Sequence, residues 1–312
     1  MQLNDARFDH ILTRGAAISI QNIDDFAVLK SFNMINVEGD LFQYKIWRQN
    51  EIPVNNVEAR APGAHYKRVS HNVQTKTGTC QDFGLEEAVD KKLQKELGEG
   101  ALQGTADILY QQGLINMEIA MFNTFFDPAA YDYNQDGVGG DFTVFNDAAS
   151  NPIQVVRDQI MSIARRHGVK PNTITATADV ANALLQNAEI KDILPTDSLR
   201  LLDHQKLAQV FGVDNFNVSG VVSAANSQAD ADFIDSGKLL IHHKTPLNPR
   251  LKANSGLIAV SNTAQDVVGT NGIGMLRYYE IQTNSDVVRV DLNYDMVIPA
   301  TFSGALLRRC LS

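Results

Sequence analysis

The run from Leu85 to Asp127 constrains this chain more than any other stretch. It opens on Leu85, Glu86, Glu87, Ala88 and Val89, residues that enter helices readily, and Glu86-Glu87 suits the positive end of a helix start. It closes at Asp127-Pro128, because proline lacks an amide hydrogen and restricts the residue before it. Between these ends Ala101, Ile108, Ile115, Ile119, Phe122 and Phe126 recur at helical spacing, and Leu102, Ala106, Leu109 and Ala120 widen that face. Gly98, Gly100 and Gly104 divide the run. Each costs up to roughly 1 kcal/mol inside a helix, so a break or kink is predicted beside them. The second half alone reaches about 39 Å. That is long enough to act as a spine for everything else.

In front of this run, residues 1–31 hold scattered apolar positions with two readings: an arm ordered by a neighbour, or a short helix packed through Phe26, Val28 and Leu29. Asp40 to Arg48 alternates like a strand, with Phe42, Tyr44 and Ile46 on one side. A second strand is predicted over Lys67 to Thr75, where Val69, His71 and Val73 share a face. The connection between them, carrying Pro53, Asn55, Asn56, Pro62 and Gly63, is longer than a hairpin turn requires. A subunit that clasps its neighbours has a use for such a projection.

After the spine, Asn151-Pro152 starts a helix with Ile153, Val156, Ile160 and Ile163 on one face, and Gly168 ends it. Pro171 to Thr177 reads as a buried strand, and Asp179 as the cap of a helix carrying Val180, Leu184 and Leu185. Ile190 to Leu194 and Leu202 to Phe211 are helical, whereas Phe216 to Val222, Lys238 to His242, Gly274 to Gln282 and Asp286 to Asp291 are strand-like. Asn284-Ser285 suits a hairpin turn between the last two. The pattern is that of a mixed α+β fold.

Composition removes several functional classes. With 27 basic and 36 acidic residues the net charge is −9, which argues against a surface devoted to nucleic acid. Cys80 and Cys310 lie far apart and read as reduced thiols. The polar start, Met1 to His10, has no secretory apolar run, and no stretch approaches the roughly 20 apolar residues of a membrane span. A soluble chain made in a cytoplasm is expected. Asp132, Asn134, Asp136 and Gly137 match the opening of a calcium loop, but its ninth and twelfth positions are Gly140 and Thr143. A turn-rich surface loop explains these residues without an ion, so no metal is assigned; a calcium-binding surface module remains as the rival of another class. Gly269, Gly272 and Gly274 miss both phosphate-binding fingerprints. His242 and His243, neighbours on a strand, point to opposite faces. Arg165-Arg166-His167 suits a helix C-terminus on a solvated face, and Arg308-Arg309 is no better as a nucleic-acid site. No nucleophile and base pair up, so neither an enzyme nor a cofactor is expected.

The order of these parts resembles the major capsid proteins of tailed bacteriophages with the Hong Kong 97 fold. The resemblance rests on Tyr66-Lys67-Arg68-Val69-Ser70 leading through Thr75-Lys76-Thr77 and Asp82-Phe83-Gly84 into the spine, and on Asn116-Met117-Glu118-Ile119-Ala120-Met121-Phe122 near its close. It continues through Ile153-Gln154-Val155-Val156-Arg157, Gly168-Val169-Lys170-Pro171-Asn172-Thr173-Ile174-Thr175 and Val180-Ala181-Asn182-Ala183-Leu184-Leu185. It spans roughly residues 36 to 300.

The resemblance implies an amino-terminal arm (1–35), an extended hairpin loop (36–80), a peripheral domain with the spine helix (81–150), an axial domain (151–272), and return strands with a tail (273–312). It implies a protein that assembles with itself, as hexamers and pentamers, into the icosahedral head of a virion built in the host cytoplasm. Further partners would be scaffold, portal and decoration proteins, with packaged DNA touched non-specifically at most and no membrane. About 35 residues ahead of the loop are too few for a fused scaffolding domain of roughly 100. No cross-linking residue carries over. An encapsulin-like compartment shell has the same fold and is the nearest alternative.

Overall fold

The structure, a computed structural model, describes residues 7–8, 23–48, 55–69, 73–97, 100–193, 204–224, 230–246, 248–261 and 272–312. Most of the expected arm, together with Pro53, His71, Gly98, Leu194, Leu202 and Gly269, lies outside them. The strands of the first half are β1 (Arg7–Phe8), β2 (Asn33–Val37), β3 (Leu41–Ile46), β4 (Gln74–Thr79), β5 (Gln81–Asp90), β6 (Tyr133–Asp136) and β7 (Thr173–Thr177). Those of the second half are β8 (Asn215–Ser219), β9 (Val222–Ser223), β10 (Asp232–Phe233), β11 (Leu239–His242), β12 (Leu257–Ser261), β13 (Ile273–Glu280), β14 (Ser285–Val297) and β15 (Ala305–Arg308).

A six-stranded sheet grows around β14. Val288, Val290 and Leu292 alternate toward a core, and Asn284, at φ 50, turns the chain back from β13. β14 pairs antiparallel with β13, β5 and β12, while β2 joins β12 in parallel and β1 joins β13. The long helix, Gly100–Phe125, packs its Leu102, Leu109, Leu114 and Met117 into the same core as these β14 side chains. A helix at Lys91–Leu97 precedes it, and Gly98 and Glu99, where the break is predicted, lie outside the described residues. Gly104 is accommodated inside the long helix, where a Cβ would meet nothing within 4 Å.

Two expectations about this region are corrected. Leu85 to Val89 is strand: ten residues of β5 pair with β14, from Ser285↔Asp90 to Tyr294↔Gln81. A continuous ladder outweighs helix preferences that differ by only tenths of a kcal/mol per residue. The buried face of the long helix is also rotated. Ile108 is 55% exposed, while Leu102, Ala106, Leu109, Gly113 and Met117 are buried. A Cβ at Gly113 would stand 3.4 Å from Val290 and Leu292 side-chain atoms, an ordinary packing distance, so this face of the helix lies on the sheet.

The amino-terminal segment is corrected in part. Phe26, Ala27, Val28 and Phe32 are buried in the main core, and β2 belongs to the sheet, so residues 26–35 are body rather than arm. The short-helix reading holds for Val28–Ser31.

A five-stranded sheet, in the order β6-β15-β11-β7-β8, forms the second centre. Leu239, Ile241, Ala305 and Leu307 face a core shared with the Pro152–His167, Ala178–Gln186, Ala188–Ile193 and His204–Phe211 helices. Leu240 and Leu306 face the core beneath the long helix. The sheet is covered on both faces, and all five residues of β7 are buried, its three threonines included. The Pro152–His167 helix begins and ends as its sequence dictates. Asn151 Oδ1 accepts from Gln154 N at 2.9 Å, and Gly168 takes φ 68. Asn151→Ala removes that cap and should lower stability by about 1 kcal/mol in urea unfolding. Asp179, by contrast, is no cap: its carboxylate accepts from Val180 N at 2.8 Å and Gly237 N at 2.7 Å, tying the next helix to the loop before β11.

The hairpin exists with its second strand later than expected, at Gln74–Thr79 instead of Lys67–Thr75. Its register, from Leu41↔Thr79 to Ile46↔Gln74, is fixed by Phe42 and Tyr44, which pack with Val37, Cys80, Leu257 and Ala259. Phe42 lies over Gly78, where a Cβ would be 2.4 Å from the ring. Lys67, Arg68 and Val69 are therefore released into the loop.

Candidate assembly surface

The residues that could have made a reactive or metal site are engaged in holding the fold. Asp132, Asn134 and Asp136 do not converge. Asp136 ends β6, and its carboxylate accepts from Arg309 Nε at 2.7 Å and Gly139 N at 3.0 Å, with Arg308 at 3.3 Å. Asn134 donates to Pro128 O instead. Among the described residues no group of three or more His, Cys, Asp or Glu side chains is placed to share a metal ion. Gly272, at φ 74, sits against Val260 at the start of β13, and Gly274 lies within that strand.

His242 and His243 do face apart. His242 is buried with its Nε2 3.0 Å from Thr175 Oγ1, whereas His243 Nδ1 meets Lys170 O at 2.9 Å. Burial pushes the His242 pKa down to about 3, so the ring is neutral. His167 departs from the expected solvated face: it is buried, 2.7 Å from the Tyr133 hydroxyl, while Arg165 and Arg166 are exposed. Both cysteines are free and buried, and burial pushes the Cys80 thiol up to about 11. A thiol so held gives little thiolate near neutral pH.

Glu118 was not recognisable as special from helical periodicity. From Gly113 to Phe126 it is the one charged side chain, and that isolation was the available signal. It is completely buried, and its carboxylate accepts from Ala27 N at 3.1 Å, Val28 N at 2.8 Å and Ser219 Oγ at 2.6 Å. Gly220 N donates to Asp25 O at 3.1 Å beside it. The long helix, the Val28–Ser31 turn and the end of β8 thus meet on one carboxylate. Burial pushes its pKa up to about 7, against the three hydrogen bonds.

Two surface features stand out among the described residues. Residues 55–69 are exposed, Tyr66 to 77%, and their hydrogen bonds among the described residues stay within the segment, as Ala64 N to Ala61 O and Val57 N to Asn55 Oδ1. β5 is the other. It pairs with β14 along one edge, yet Phe83 and Leu85 are 37% and 46% exposed and Glu86 and Glu87 are also at the surface. An exposed edge strand bearing large apolar residues is a template for another chain. The Glu86-Glu87 pair is therefore on a strand surface, not at a helix start.

Comparison with known proteins decides the architecture. No protein-family model matches the sequence, and neither does any curated protein. Solved structures do match. A phage-related protein from Bordetella bronchiseptica aligns with a TM-score of 0.73 and 16% identity, covering 97% of this chain and 97% of its own. The capsid of a native GTA particle aligns at 0.55 with 11% identity, over 93% of this chain and 92% of its own. The chain has the Hong Kong 97-like capsid fold. The SrpI encapsulin of Synechococcus elongatus carries the likeness further, with a TM-score of 0.53 and 10% identity over 94% of this chain and 89% of its own. The likeness covers nearly the whole of this chain and of the structures it matches. Among the described residues no helix is long and apolar enough to cross a membrane.

Proposed function

We propose that this protein is the major capsid protein of a tailed phage or prophage, a shell subunit that works by binding copies of itself. The observation that carries this reading is the capsid fold matched along nearly the whole chain. The exposed loop 55–69 and the exposed strand β5 support it, because shells of closed symmetry need projections and receiving surfaces. In this reading the β3–β4 hairpin is the extended loop. The long helix with the six-stranded sheet forms the peripheral domain, and the five-stranded sheet with its helices forms the axial domain. The subunit assembles in the host cytoplasm, joins hexamers and pentamers, and resides in the virion. Scaffold and portal proteins would be its partners during assembly.

Negative-stain microscopy and sedimentation of the expressed protein test the proposal. Closed particles are expected, and replacing residues 55–63 by a short glycine-serine turn should leave folded subunits that no longer form them. A wild-type chain that stays monomeric at high concentration overturns the reading. A compartment shell is the second reading, favoured by the likeness to an encapsulin. Nucleic acid inside purified particles supports the capsid, and enclosed protein without nucleic acid supports the compartment.

A further inference from the structure

Three stretches are free of acidic residues in a chain that carries 36 of them: Leu41 to Asn50, Gln159 to Ala178 and Ser236 to Gln265. They are far apart in sequence, and the fold brings them to one place. Trp47, Val169 and Ala253 pack in a small apolar cluster with Ala300 and Phe302. The residues beside them are positively charged. Arg48 follows Trp47, Lys170 follows Val169 and Lys252 precedes Ala253, and all three are exposed. Backbone and side-chain bonds bring two more cations to the same group. Lys45 N donates to Arg250 O at 3.1 Å, Arg250 Nη2 donates to Asn36 O at 2.8 Å, and Trp47 N donates to Pro299 O at 3.1 Å. Lys170 O lies 2.9 Å from His243 Nδ1, which ties the second stretch to the third.

Five cations thus gather around an apolar cluster. Among the described residues none of the five makes an ion pair, whereas cations elsewhere, such as Lys91, Lys238 and Arg277, are paired with aspartates. Asp214 reaches only the border of the group, where its charge acts on His243. Lysines and arginines spread over an open surface read charge and spacing rather than shape. A duplex backbone offers that pattern, with one negative charge per roughly 1.7 Å of axis. Three of the five are lysines, the cation that protein interfaces disfavour, so an acidic face of a second copy is the poorer match. The net charge of −9 does not forbid the contact. Physiological salt screens the other charges of the body beyond about 8 Å, which leaves the local group in control.

We propose that Lys45, Arg48, Lys170, Arg250 and Lys252 form a surface that takes the phosphate backbone of duplex DNA without reading its sequence. This rests on the capsid reading and adds to it the face of the subunit that is turned to the genome.

Fluorescence anisotropy of a labelled mixed-sequence duplex, titrated with dilute unassembled subunits over a range of salt, tests it. Binding is expected at low salt, with log K falling linearly against log salt. Arg48→Gln, Lys170→Gln and Lys252→Gln together should weaken binding roughly tenfold or more and flatten that slope by about 2 to 3, near 0.9 per lost phosphate contact. Their circular dichroism should match the wild type, because all three side chains are exposed. Lys76→Gln, Lys92→Gln and Lys95→Gln, exposed elsewhere, remove the same charge and should leave affinity and slope near wild-type values. Equal losses in the two triple variants mean that overall charge alone governs binding, and that overturns the surface. So does a patch variant that binds DNA as the wild type does; if it also fails to form particles, the group faces a second copy instead. Particle formation by the wild type judges the shell separately: particles from subunits that ignore DNA uphold the shell and remove the surface.

Discussion

Replacing Glu118 by alanine should lower the unfolding free energy by about 3–5 kcal/mol, because each buried polar group left unpaired costs roughly 1–3 kcal/mol. Three such groups are orphaned together: the amides of Ala27 and Val28 and the hydroxyl of Ser219. No water reaches a side chain that is completely buried between the long helix, the amino-terminal turn and β8. The loss should appear in urea unfolding followed by circular dichroism, and a change under about 1 kcal/mol would mean the carboxylate is not the bolt it resembles. The pH dependence gives an independent check. The folded-state pKa of about 7 lies above the ordinary 4.5, so the folded chain holds a proton that the unfolded chain has released between these values. This group therefore makes stability fall as pH rises from 4.5 to 7, and adds no further slope above that. His242 acts in the opposite sense: with its pKa lowered from 6.5 to about 3, stability rises with pH across that window. The difference between wild type and Glu118→Ala isolates the carboxylate, and it should be largest at acid pH.

The elements readable in the sequence are those whose signal is local. Asn151, Pro152 and Gly168 state where a helix begins and ends, and the cap bond and positive φ are where they predict. The alternation of Val288, Val290 and Leu292 states which face of β14 is inward. What stayed hidden depends on partners distant in the chain. Leu85 to Val89 becomes strand because β14, some two hundred residues on, offers a ladder. The burial of Phe26 and Val28 depends on Glu118, ninety positions away from Val28. The loop's oversized length was visible from the start; its independence from the rest of the chain was not.

These observations divide the molecule by purpose. Polar groups inside the body are largely committed to holding its own elements together, as with Asp136 to Arg309, Asp179 to Gly237 and Glu118 to the amino-terminal turn. Exposed apolar side chains stand on the hairpin loop, Val57 and Tyr66, and on β5, Phe83 and Leu85. That distribution suits a building block: a stiff body carries interface surfaces that its own chain cannot satisfy.

Gly256→Val, the other large effect, probes the joint between the sheets and should cost about 3 kcal/mol, the upper range for overfilling a dense core. A Cβ at this position would stand 2.4 Å from Phe32 Cδ1 and 3.0 Å from Phe125 Cε1. Those rings stack at 4.0 Å, and Phe32 stacks again on His242 at 4.7 Å, so neither ring has room to swing. The backbone cannot yield either. Asn254 Nδ2 donates to Gly256 O at 2.7 Å, the Tyr131 hydroxyl donates to Ser255 O at 3.0 Å, and Ser255 Oγ accepts from His243 N while binding Ser303. The conflict therefore falls on the Phe32 ring, which predicts its own remedy. Phe32→Leu alone leaves a cavity and is destabilising, yet in the Gly256→Val background it vacates the space the new methyl groups need. A double-mutant cycle should show the pair costing less than the sum of the single changes by 1 kcal/mol or more, well beyond the roughly 0.5 kcal/mol within which independent sites add. Additive losses would mean that the glycine is not there to admit the ring.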